Sequence, residues 1–323
     1  MTRAVALLGV VGISFSAIFV GLADVAATSA TFYRTALAAP VLLALAAARG
    51  LLPVAGGPAW SPAGVRFALA TGAIFALNVT VWHVNIAVAG AGLSTLMGNL
   101  QVVLVGVIAW WLHGERPTGL TLALLPVLLL AVAMIAGVVG EPTTIQRPWL
   151  AAGLGLATAA ANATYLLSFR QASRRLPSSL AALVLVTFAA AATTLALSPA
   201  DPAFALRVPA GALAWLAALA LVSQVLGWLA ITPALRRLPT LEVGMLLLLQ
   251  PMLTILWGAW IFGERHTGVQ WAGVAILVAG LALVQIRGVT RPAPAAAAPA
   301  TVPGAGGGAA PPTPTPAPAE RQE

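Results

Sequence analysis

The sequence predicts an all-α membrane protein of ten transmembrane helices arranged as two inverted repeats of five. Three observations predict it. Apolar residues fill 60% of the 323 positions and charged residues only 7%, where a soluble domain carries roughly a quarter charged residues. Apolar runs recur along the chain, each near the ~20 residues that cross a ~30 Å hydrocarbon core as a helix. A stretch in the first half also returns in the second at a shift of 149 residues. So little charge cannot cover so much apolar surface in water. Lipid is therefore the solvent, and the backbone polar groups must be satisfied inside helices.

Taken in order, the runs cover residues 4 to 22, 28 to 48, 66 to 88, 92 to 112 and 118 to 139, then 150 to 171, 179 to 197, 212 to 233, 240 to 262 and 268 to 287. Polar, Pro or Gly clusters separate them: Arg49-Gly50, Pro53 to Pro62, Glu141-Pro142, Pro177-Ser178, Pro199 to Pro202 and Pro239. This gives a first repeat over 1–141 and a second over 142–287. Residues 288–323 turn to Pro, Ala, Gly and Thr, too poor in large apolar side chains to fold, and read as a disordered cytoplasmic tail. A cleavable signal in the first run, with Ala26 to Ala30 as the processing site, would leave nine spans and break the internal pairing.

The net charge of +8 consists of Arg without Lys, scattered singly or in pairs between apolar runs. That pattern is topological and does not indicate a nucleic-acid partner. With both termini cytoplasmic, Arg3, Arg49, Arg66, Arg116, Arg170, Arg174, Arg175, Arg236, Arg237, Arg287, Arg291 and Arg321 all lie inside, as the positive-inside bias favours. The setting is a cell membrane, inner or plasma. The chain has no Cys, which removes disulfides, thiolate chemistry and cysteine metal sites together.

Residues 100 to 119 and 249 to 268 share Leu, Gln, Leu, Trp, Gly, Glu, Arg, Thr and Gly at matching positions, ending in Gly114-Glu115-Arg116 and Gly263-Glu264-Arg265. Five spans per repeat is an odd number, so the copies insert in opposite orientations, the plan of many secondary carriers. Within this motif Gly stops a helix, and Glu is expected to meet the positive end of the helix that follows.

These paired motifs, with Asn99-Leu100-Gln101, Gln250-Pro251, Ile13 to Phe19 and Phe32-Tyr33-Arg34, resemble the EamA family of the drug/metabolite transporter superfamily. The resemblance implies ten helices, a site between the halves, and movement of amino acids or similar small metabolites. It makes Arg34 either an anchor for the second span or a contact for a substrate carboxylate, with Asp24 the nearest acid in sequence. Gln250 stands where the family often has Glu, which puts cation coupling in doubt.

Polar side chains within spans usually face a bundle interior or a cavity. Asn78, Trp82 and Asn85 share one helical face, Ser94, Gly98 and Gln101 another. Asn162 and Tyr165 in the sixth span, and Gln224 and Trp228 in the eighth, extend the set. With Arg34 and Gln250 these are the candidate substrate-binding residues. Amides, hydroxyls and flat aromatic walls suit a small polar solute. His83, beside Trp82, could carry a proton but is more often a packed residue. Small residues on the last span, Ala272, Gly273, Ala275, Ala279 and Gly280, either pack within the bundle or form a homodimer seam through the fifth and tenth spans.

An intramembrane enzyme would need convergent catalytic groups. The chain has no HExxH, no pair of intramembrane Asp and only three His. Nothing in it calls for a cofactor or a metal. A secondary carrier run as an exporter is the leading expectation; a non-transporting scaffold or sensor acting through the tail is the alternative.

Overall fold

The computed structural model describes residues 2–54, 57–113, 117–140, 144–231 and 240–287. They form helices α1 (Thr2–Ser14), α2 (Ser16–Ala23), α3 (Ala27–Ala48), α4 (Pro62–Ala89), α5 (Ala91–Gly98), α6 (Gln101–His113), α7 (Gly119–Ile135), α8 (Pro148–Arg175), α9 (Ser179–Leu197), α10 (Ala210–Ile231), α11 (Thr240–Phe262) and α12 (Gly268–Arg287). Among the described residues, eight helical runs are long and apolar enough to cross a membrane, α1 joining α2 and α5 joining α6 as single runs. Gly119–Ile135 and Leu246–Phe262 are shorter apolar stretches.

Local chemistry sets the ends. Ser61 Oγ accepts the Gly64 N–H at 3.0 Å with Pro62 at the first helical position, so α4 begins there. Ser178 and Thr118 cap α9 and α7 in the same way. The expected fifth span reaches 139, but α7 stops at Ile135. Gly137 adopts a left-handed conformation (φ 74°), and the Val138 N–H turns back to the Ala133 carbonyl at 2.9 Å.

The helices of the first half pack chiefly against those of the second. α4 lies on α8 and α9, α3 on α9 and α10, α7 on α12, and α5 on α11, while α1 and α2 lie on α10. Small residues make this closeness possible. Gly280 meets Leu128, and Gly273 sits against the Ala131 carbonyl. The small-residue stripe of the last span therefore divides: Gly273 and Gly280 are buried against α7, while Ala272, Ala275 and Ala279 stay exposed.

Two ends of the bundle can be followed by their contacts. At one end, Thr28 Oγ1 donates to Asp201, the Ala205 N–H donates to Ser29 Oγ, and Tyr33 OH donates to the Leu206 carbonyl. At the other, Ser61 Oγ donates to the Arg175 carbonyl and the Arg175 guanidinium lies 4.5 Å from the centre of the Phe67 ring.

Candidate functional site

Three irregular stretches of helix meet inside the bundle. The α1–α2 run turns at Phe15, the α5–α6 run turns at Asn99-Leu100, and α10 widens into a π-helix through Leu219–Gly227. Irregular backbone at membrane depth is tolerated where it lines a cavity or is buried in protein, and π-turns gather at functional sites. Ser16 follows the first turn, Asn99 lies in the second and Gln101 follows it, and Gln224 lies in the π-helix.

Around them is a cavity of about 230 Å³. Arg34, Asn78, Trp82, Gln101, Asn162, Tyr165, Trp228 and Gln250 all line it, as do Ser16, Thr95, Asn99 and Thr158. Both halves contribute. Asn78 Nδ2 on α4 donates to Asn162 Oδ1 on α8 at 3.2 Å, closing a bond between them. Tyr165 packs at a tilt against Phe75, 4.7 Å between ring centres, and leans on Phe169, which meets Trp228. Asn78 Oδ1, Gln101 Oε1 and Tyr165 OH have no hydrogen-bond partner among the described residues.

Arg34 is the charge of the site. It lies about 10 Å along α3 from the helix start and is only 6% exposed. Its Nε donates to Gln224 Oε1 at 2.9 Å and its Nη1 to Ser16 Oγ at 3.1 Å. The rings of Phe75 and Trp82 lie 5.9 and 5.8 Å from its guanidinium carbon. Asp24, the nearest acid in sequence, is exposed at the turn before α3 and makes no bond to it. No Asp or Glu lines the cavity among the described residues.

Two candidate residues do not line the cavity. Asn85 is fully buried, with neither side-chain polar atom partnered among the described residues. It shares the helical face of Asn78 but sits two turns, about 10 Å, further along α4, past the cavity's end. Gln224 stands behind Arg34, orienting the guanidinium. The π-helix changes the residues per turn, so the 3.6 spacing that groups Gln224 with Trp228 does not apply there. His83 also lies outside the cavity; its Nδ1 is 3.0 Å from Thr31 Oγ1 and 3.3 Å from the Ala27 carbonyl, tying α4 to the first turn of α3.

Gly114, Glu115 and Arg116 lie outside the described residues. In the second motif, Gly263 is left-handed (φ 66°) and ends α11. Glu264 does meet a positive helix end, but that of α5 and not of the helix that follows. Its Oε1 accepts the Ala91 N–H at 2.7 Å and its Oε2 the Gly92 N–H at 3.3 Å. Gly90, Gly92 and Gly258 give the carboxylate its space: a Cβ on Gly258 would lie 2.4 Å from Oε2, and one on Gly90, 2.6 Å from Oε1. Burial pushes the Glu264 carboxyl above the usual range, and the two backbone N–H groups pull it back part of the way.

A larger recess of about 570 Å³ between α3, α9 and the segment after Leu51 is lined by Pro40, Trp60, Phe188 and other apolar side chains. It has almost nothing to orient a polar solute, so the smaller cavity is the candidate site.

A family model, that of the EamA-like transporter family, matches residues 149–286. Over those residues the chain is similar to the EamA-like transporter family. The EamA-like segment spans α8 to α12 and supplies Asn162, Tyr165, Trp228 and Gln250 to the cavity, with Gln224 behind it. Eighteen solved chains match the fold. One of them, a crystal structure, superposes with a TM-score of 0.58 at 17% identity, covering 88% of this chain and 97% of its own. No curated protein matches the sequence.

Proposed function

We propose that this protein is a secondary carrier that exports small polar metabolites, amino acids or related compounds, by alternating access of two inverted repeats. The observation that carries the reading is the cavity itself, which draws polar groups from both halves to one place in the bundle. The packing supports the symmetry. Shifting residue numbers by 149 carries α3 onto α9, α5 onto α11 and α7 onto α12, and each of these pairs is packed together. The same shift exchanges the contact of α4 and α8 with that of α10 and the α1–α2 run. Two packings related by exchanging the halves then have similar energy, so the site can face either side.

On this reading ten helices cross the cell membrane, both termini are cytoplasmic, and Arg34, Asn78, Trp82, Gln101, Asn162, Tyr165, Trp228 and Gln250 contact the solute. The exposed Ala272, Ala275 and Ala279 of α12 offer a smooth face for a homodimer seam beside α7.

The test is export from proteoliposomes of the purified chain loaded with mixed amino acids and small metabolites, followed by mass spectrometry of the medium. At least one solute leaves faster than from empty-membrane controls, without nucleotide. A panel in which no solute does so overturns the carrier reading.

A further inference from the structure

We infer that Arg34 is the seat for an anionic group of the solute, so that the cavity takes small carboxylates and rejects their neutral-headed analogues. This deepens the carrier reading and rests on it. A guanidinium keeps its proton in proteins and is satisfied by a planar, two-oxygen partner. Arg34 is buried, yet among the described residues its hydrogen-bond partners are the amide oxygen of Gln224 and the hydroxyl of Ser16. Both are neutral.

Each acid whose side chain is described lies elsewhere. Asp201 accepts from Thr28 and from the Ala203 N–H, Glu264 accepts from Ala91 and Gly92, and Asp24 is exposed. The faces of Phe75 and Trp82 attract the cation without neutralising it. A charge within a span that pairs with no charge among the described residues is a candidate for a functional site. Gln224 and Ser16 hold the fork in place, each using one donor and leaving others, while Arg34 forms part of the cavity wall.

The cavity also defines the other pole of the solute. The side-chain oxygens of Asn78 and Gln101 are acceptors without a partner among the described residues, and the Tyr165 hydroxyl can accept or donate. These match an ammonium, hydroxyl or amide N–H on the same molecule as the carboxylate. The volume of about 230 Å³ lies below the ~300–1,000 Å³ of drug-sized sites. The occupant is therefore a small monocarboxylate bearing a hydrogen-bond donor.

The experiment loads proteoliposomes with equal amounts of the twenty amino acids and their twenty α-amides, which differ in the carboxylate alone, and reads the export ratio within each pair. For the wild type, at least one acid leaves ten or more times faster than its amide. Arg34→Gln keeps partners for Gln224 and Ser16 but lacks the charge, and brings that ratio close to one. Arg34→Lys restores part of it. An Arg34 that merely anchors α3 would lower all rates together and leave the ratio unchanged.

Equal export of acids and amides by the wild type overturns the inference while keeping the carrier. So does an Arg34→Gln protein with the wild-type ratio. No export of any probe overturns both readings. The wild-type comparison needs no variant, so a misfolded Arg34→Gln protein does not decide the matter.

Discussion

At the residue scale, the bond between Asn78 and Asn162 joins the two halves through one amide pair. Hydrogen bonds between membrane helices contribute about 0.6 kcal/mol on average, so a double-mutant cycle with Asn78→Ala and Asn162→Ala should return a coupling of that order, measured by thermal unfolding in detergent. Tyr165→Phe removes a hydroxyl that has no partner among the described residues. It should leave the unfolding midpoint nearly unchanged while weakening solute export several-fold, read as a raised KM. Much of this wall was legible in the chain, because Asn78 and Trp82 fall one helical turn apart and polar side chains avoid lipid. Asn85 shows the limit: spacing gives the face of a helix but not the height at which a cavity ends. Gln224 shows another, since its orientation depends on a π-turn that nothing in Leu219–Gly227 announces.

At the element scale, Glu264 acts as a cap borrowed from a distant part of the chain. Its partners, Ala91 and Gly92, are more than 170 residues away, so periodicity could find the motif but not the helix it serves. Glu264→Ala should cost about 0.5–2 kcal/mol, the usual loss when a helix N-terminus loses its side-chain acceptor, and Gly258→Ala should cost a similar amount by displacing the carboxylate. A pH dependence follows from burial. Because the folded protein holds this proton more tightly than the unfolded chain, the contribution is full below the unfolded value and is lost as pH rises through the folded one. The unfolding midpoint of the wild type should therefore fall relative to Glu264→Gln as pH rises through that window. A parallel pair of curves would show that Glu264 does not titrate there.

At the scale of the whole molecule, the packing of each half against the other explains why neither half has a large core of its own. α3 has α9 and α10, α4 has α8 and α9, and α7 has α12. The membrane class and the helical runs were legible because hydropathy is a property of local sequence, and the shift of 149 was legible as repeated residues. Which helix lies beside which was not, since lipid-facing and protein-facing surfaces are both apolar and differ mainly in side-chain size. A chain ending at Arg287 contains every described helix. It should export solute at the full rate in proteoliposomes; loss of function with normal insertion would instead favour a scaffold or sensor acting through residues 288–323.

Arg34 also gives the protein an electrical character. A cation fixed within the bundle feels the membrane potential according to which side of the cavity is closed, and one elementary charge moved through the full potential is worth about 2.3 kcal/mol per 100 mV. On the carrier reading, a solute of net charge minus one seated on it leaves the site moving no net charge, whereas a zwitterionic amino acid, like the empty site, leaves it moving one. A current in a clamped bilayer would then separate the two kinds of solute: for a net monoanion the loaded half of the cycle passes silently, and for a zwitterion both halves respond to voltage.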